Sequence, residues 1–187
     1  MIVCEGTKTE PAYFKRLQHE FRNRMVQVEI TPVGGVPMTL VERARNLQDT
    51  ARQNAKAQRD ENLRFNKVWC VFDRDEHPSV HEACLLAERH EISVAFSNPC
   101  FELWALLHLG DQAERIHRHE LQSKVNQLLG NKHPKLLPFD KFHHGYEAAV
   151  RRAEALRKVA QGTGQPRRNP STNVDELTEL IRQGGLR

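Results

Sequence analysis

Residues 68–72, Val-Trp-Cys-Val-Phe, form a near-continuous apolar run that stops abruptly at Asp73. A strand with one face in water alternates apolar and polar residues. A run without that alternation reads as a strand buried on both faces, the condition of a parallel sheet covered by helices. Parallel strands need crossover helices, and the flanking sequence supplies them. Residues 1–4 make a short apolar strand. Thr9 is placed to cap a helix reaching about Arg24, with Pro11 in its first turn and Tyr13, Phe14, Leu17 and Phe21 on one face. Val26, Val28 and Ile30 alternate as a second strand before a Pro/Gly-rich break over residues 31–37. From Thr39 a long amphipathic helix turns Leu40, Val41, Ala44, Leu47 and Ala51 inward, and its polar continuation from Arg52 to Asn62 projects into solvent. Ser79 and Glu82 have capping-box spacing, residues 92–96 form a fourth strand, and Asn98 caps the helix carrying Glu102 and Trp104.

The alternation predicts an α/β fold: a parallel sheet with right-handed crossovers and helices on both faces. Residues 1–110 read as the α/β core. Residues 111–187 read as a helical extension packed on that core within one domain, with turns near 130–134 and 162–170 and a last helix from about Asn173 to Arg182, ended by Gly184-Gly185. With 39% hydrophobic and 28% charged residues, the chain has the apolar content to bury a core, which argues against global disorder. No apolar run is long enough to cross a bilayer; the longest, residues 100–109, contains Glu102 and His108. The start lacks the pattern of a secretion signal, so a cytoplasmic location is expected. Cys4, Cys70, Cys84 and Cys100 include no C-x-x-C pair and read as reduced, buried thiols.

The chemistry concentrates at two strand ends. Glu5 follows the first strand, and Asp73-Arg74-Asp75 follows the third. In open α/β sheets, sites form beyond the carboxyl ends of strands. Residues two apart in extended chain point the same way, so Asp73 and Asp75 can converge, and Glu5 joins them if the two strands are close. Packed carboxylates repel one another and call for a cation, and hard oxygen donors suit Mg2+ or Mn2+. Such a centre activates water and stabilises charge developing on a phosphodiester. From these residues alone, acidic strand ends serve equally well as loop starts or helix caps.

Four blocks carry a resemblance that covers nearly the whole chain. Residues 4–11, Cys-Glu-Gly-Thr-Lys-Thr-Glu-Pro, are followed by Tyr13-Phe14. Then come Val71-Phe72-Asp73-Arg74-Asp75, Ser97-Asn98-Pro99-Cys100-Phe101-Glu102-Leu103-Trp104, and Asn169-Pro170-Ser171-Thr172-Asn173-Val174. In this order they resemble the RloB family of bacterial proteins, which is similar to Toprim nucleases of phage defence and is often encoded near restriction-modification genes beside an ATPase. The resemblance implies a Toprim-like parallel sheet with a helical C-terminal extension. It also implies Mg2+-dependent nuclease activity on DNA or RNA in anti-phage defence, and an ATPase partner; self-assembly is left open. It assigns the metal site to Glu5, Asp73 and Asp75, with Glu5 as a ligand or as the base for attacking water. Gly6 would admit the backbone close to substrate, and Lys8 could contact phosphate or developing negative charge, or else be a solvated loop lysine.

Other residues extend this picture. Glu102, in a helix that otherwise looks buried, needs a partner and could support the metal site. Asn98 could contact substrate if it is not a cap. Arg167 and Arg168 could bind phosphate near the start of the last helix, where Thr172 or Asn173 is the expected cap. His77 and His81 have H-x-x-x-H spacing but lack the H-E-x-x-H zinc pattern. The net charge of +4 permits a nucleic-acid partner without demanding one. Two alternatives stay open: a phosphatase with Asp73 as nucleophile and Asp75 as acid–base group, and a non-catalytic nucleic-acid-binding or sensor module.

Overall fold

The computed structural model describes residues 1–30, 36–74, 79–130 and 137–184. Its strands are β1 Ile2–Cys4, β2 Val28–Ile30, β3 Val68–Asp73, β4 Ile92–Asn98 and β5 Ser171–Thr172. They form one sheet in the order β2-β1-β3-β4-β5. The first four are parallel, and β5 runs antiparallel to β4. The protein is therefore α/β with a mostly parallel sheet flanked by helices and a helical C-terminal segment.

The apolar run of β3 is buried on both faces. Trp69 and Val71, with Ile2 and Cys4 of β1, pack against Tyr13, Phe14 and Leu17 of α1 (Thr9–Glu20) and against the later helices. Val68, Cys70 and Phe72, with Met1 and Val3, pack instead against Leu40, Val41 and Ala44 of α2 (Pro37–Gln58) and Ala83 and Ala87 of α3 (Val80–Arg89). The alternation of a strand divides these residues between two layers, and both layers are apolar. No helix among the described residues is long and apolar enough to cross a membrane.

Several boundaries differ from expectation for local reasons. α1 begins at Thr9 itself, with Lys8 in the N-cap position, and stops at Glu20 because Arg22 turns into the left-handed region at φ 49°. α2 starts two residues before Thr39, at Pro37, and ends where Arg59 adopts φ 53°; a 3-10 turn, Glu61–Leu63, takes the place of its expected continuation. Ser79 occupies the N-cap position of α3, yet its side chain makes no capping hydrogen bond. The Pro/Gly segment 31–35, residues 75–78 with His77, the turn residues 131–134 and Gly185 lie outside the described residues.

The C-terminal segment holds α5 Arg118–Leu129, α6 Phe139–Phe142, α7 Tyr146–Gly162 and α8 Val174–Arg182. α4 (Glu102–Leu109), buried from Glu102 through His108, packs against α5 and α7. It is apolar nearly all round, as an enclosed helix must be. Gly145 lies against its end: a Cβ there would come 2.0 Å from the His108 carbonyl oxygen.

The segment is more than helical cover, because it also supplies β5. The Asn169-to-Val174 block explains how. Asn169 exchanges hydrogen bonds with the Ile116 backbone, accepting at 3.1 Å and donating at 2.8 Å. Thr172 donates to the Phe96 carbonyl at 2.9 Å. Asn173 stands at the N-cap position of α8, but its side chain serves the sheet: it accepts from the Phe96 amide at 2.8 Å and donates to the Val94 carbonyl at 2.9 Å. One side-chain amide thereby stands in for a further peptide of β5. Thr172 Oγ1 accepts from the Val174 amide at 3.3 Å. Arg157 clamps the same junction, donating to the Thr172 carbonyl at 2.7 Å and gripping both carboxylate oxygens of Asp175.

Candidate active site

Strand order decides where a site can form. From β1 the chain passes outward to β2, then returns across β1 to β3 and continues to β4. The direction of winding reverses between β1 and β3, and the crevice beyond their carboxyl ends is the topological switch point at which α/β sheets bind ligands. Glu5 leaves β1 there, its amide still donating to the Val71 carbonyl at 3.0 Å. Asp73 is the last residue of β3. Both line a cleft of about 360 Å3, together with Gly6, Lys8, Glu10, Glu102, Arg118 and Gln122.

The structure thus brings Glu5, Asp73 and Glu102 to one place and adds Glu10, a residue of the 4–11 block outside the expected site. Glu10 lies in the first turn of α1, where a carboxylate ordinarily complements the helix dipole. Here it is buried, 8% exposed. A signal was present in the sequence: Glu10 precedes Tyr13, Phe14 and Leu17 by three, four and seven residues, so it belongs to the apolar stripe of α1. Arg118 and Gln122, one turn apart at the start of α5, carried no comparable signal.

The electrostatics are those of crowded carboxylates. Burial pushes Asp73 well above the usual carboxylate range, and the negative charges of Glu10, Glu102 and Glu5 push it further; Arg118 opposes them. Arg118 Nη2 lies 3.6 Å from Asp73 Oδ2. Burial also raises Glu10, to about 7, with Glu102 and Glu5 adding to the shift against a backbone hydrogen bond and Arg118. Glu102, the first residue of α4, accepts from Gln122 Nε2 at 3.2 Å, the partner its burial requires.

Gly6 has a steric reason. A Cβ at this position would lie 2.1 Å from Glu10 Oε2. The turn leaving β1 therefore packs directly against the Glu10 carboxyl, and the glycine and the buried glutamate depend on each other. Lys8 is exposed at the mouth of the cleft.

The remaining candidates are distributed differently. Asp75 lies outside the described residues. Asn98 does not cap α4, whose N-cap position is Phe101; it ends β4, and its amide donates to the Arg167 carbonyl at 2.7 Å. Arg74 donates to the same carbonyl. The Arg167 guanidinium lies over the Phe96 ring, 5.5 Å from its centroid. Arg168 lines a neighbouring cleft with Asn98 and Arg74. His81 is exposed on α3.

In kind, the donor set suits a hard divalent cation: several carboxylates, mutually repelling, around one cleft. Among the described residues, no group of three or more His, Cys, Asp or Glu side chains already stands at metal-binding geometry. The ion pair of Arg118 with Asp73 supplies cationic compensation in this arrangement.

Comparison with known proteins bears on the whole chain. The profile of a protein family described as RloB-like protein matches residues 1–181. No curated protein and no solved structure matches the chain significantly.

Proposed function

The chain belongs to the RloB-like family, and from that premise we propose that it is a metal-dependent nuclease of the Toprim type, hydrolysing phosphodiester bonds of DNA or RNA. The observation that carries this reading is the meeting of Glu5 and Asp73 at the switch point of the sheet, inside a cleft shared with Glu10 and Glu102. Glu5 and Asp73, with Asp75 by its place in the sequence, would hold Mg2+ or Mn2+. A divalent cation bound there lowers the pKa of water and stabilises charge on the reacting phosphate.

The protein's own groups have separable tasks in this scheme. Gln122 fixes the orientation of Glu102, and Gly6 allows Glu10 to face the cleft. Burial raises Glu10 to about 7, in the range that suits a general acid–base group, and a cation bound beside it would draw that value down. Arg118 can exchange Asp73 for a phosphate oxygen, and Lys8 adds positive charge at the entrance. The family resemblance extends the reading to anti-phage defence beside an ATPase partner.

The test is cleavage of labelled DNA and RNA with Mg2+ or Mn2+, with and without the neighbouring ATPase. Asp73→Asn should abolish cleavage while leaving the circular dichroism and melting temperature close to those of the parent. Undiminished cleavage by this variant would remove the assigned site. A second reading, a non-catalytic nucleic-acid-binding module, is favoured by the Arg118–Asp73 ion pair, which compensates one carboxylate without any metal. Binding without cleavage under every metal and partner condition would select it.

A further inference from the structure

Arg118 lines two clefts. Besides the carboxylate cleft, it borders one of about 580 Å3 formed by the ends of β3 and β4, the loop entering α5 and the turn before β5. The cations of this second cleft are Arg74, Arg115, Arg118 and Arg168, with His117 beside them. No carboxylate lines it among the described residues. The whole chain carries 28 Lys and Arg against 24 Asp and Glu, so four arginines around one cleft are a local concentration; of these, Arg118 also pairs with Asp73 in the neighbouring cleft. Several arginines elsewhere are matched by nearby acids, as Arg45 is by Asp49 and Arg182 by Glu147. Arg115 and Arg168 have no salt-bridge partner among the described residues.

What the cleft can recognise follows from which groups the fold has already used. Both hydrogen-bonding ends of the Asn169 amide are taken by the Ile116 backbone, and the Asn98 amide nitrogen donates to the Arg167 carbonyl. Side-chain amides pair with adenine edges, and these two are committed inward, whereas Gln165, the other amide of the lining, is exposed. Phe, Tyr and Trp are absent from the described lining, which leaves His117 as its aromatic ring. Guanidinium groups remain, and these bind phosphate oxygens in pairs of parallel hydrogen bonds.

We propose that this arginine cleft is the track for the backbone phosphates of a nucleic-acid strand, delivering it through Arg118 to the carboxylates and reading phosphate in place of base sequence. The direction of delivery rests on the nuclease reading; the binding does not require cleavage.

The experiment is fluorescence anisotropy of the full chain with labelled oligonucleotides of equal length in several unrelated sequences, each made as DNA and as RNA, in EDTA and over a range of salt. The Arg115→Ala/Arg168→Ala double variant should bind roughly tenfold more weakly or worse, and its log–log salt slope should be shallower by about 1.4 to 1.8, the contribution of two phosphate contacts. The DNA and RNA arms identify which backbone fits. An unchanged affinity and slope in the double variant would overturn the proposal, as would failure of the parent to bind either oligonucleotide. A strong preference among sequences would overturn phosphate readout. Arginine-sensitive binding without metal-dependent cleavage would sink the nuclease reading and leave the track standing. Cleavage unaffected by both substitutions would do the reverse.

Discussion

At the scale of single residues, the site is governed by how few atoms separate Gly6 from Glu10. The contact a Cβ would make is with the carboxyl terminus of Glu10, a group that can swing aside more readily than backbone. Gly6→Ala should therefore change stability by no more than about 1 kcal/mol. It should displace the Glu10 carboxyl and weaken Mn2+ binding by roughly tenfold, as loss of a supporting group does. Thermal melting beside calorimetric Mn2+ titration separates the two effects; a large stability loss with unchanged titration would show that Gly6 serves the fold alone. Glu5 and Asp73 were legible as strand-end carboxylates because their placement depends only on where two apolar runs stop. Glu10 was legible in principle, as a charge on an apolar stripe, but a first-turn glutamate satisfies the helix dipole so well that the pattern does not ask for another explanation.

Among the elements, α4 has the clearest physical consequence. His108 is 4% exposed and donates from Nδ1 to the Trp104 carbonyl at 2.8 Å, surrounded by the rings of Trp104, Phe142, His143 and Tyr146. Burial, aided by the nearby His143, His144 and Arg152 and opposed by the Trp104 hydrogen bond, lowers its pKa to about 3. The folded state thus holds His108 neutral, whereas the unfolded chain protonates it near the ordinary 6.5. Its contribution is fully present above about 6.5 and is lost as pH falls toward about 3, at up to about 1.4 kcal/mol per pH unit. Urea midpoints of the parent and His108→Phe at pH 7, 5.5 and 4.5 measure this directly. The gap between them should shift in favour of the variant at each step downward; a constant gap would show that His108 does not titrate on unfolding. The sequence showed that α4 is apolar, since residues 103–107 are apolar without a break, but the number of helices covering it was not in the pattern.

For the molecule as a whole, the decisive contact joins residues far apart in the chain. β5 is two residues long, and period-two alternation cannot reveal so short a strand. Its pairing with β4 is completed by Asn173, whose amide bonds Val94 and Phe96, nearly eighty residues away. Asn173→Ala would leave a buried-edge amide and carbonyl unmatched, and should cost about 2 to 4 kcal/mol. A lowered urea midpoint with unchanged slope checks it; a variant as stable as the parent would mean that Ser171 and Thr172 hold the edge unaided. The helices expected beyond residue 110 are present, and the same segment also supplies the Arg118 and Gln122 side chains that reach the carboxylates.

Local pattern was enough for the α/β class, the double burial of β3, the strand-end carboxylates and the family blocks, because each depends on spacing within a few residues of chain. Strand order, the two-residue β5, the inward turn of Asn98 and Asn173, and the meeting of Glu10, Arg118 and Gln122 with Asp73 depend on crossovers and long-range packing. Residues more than a hundred positions apart in the chain become neighbours only once the sheet is wound, and no local periodicity records which ones will meet.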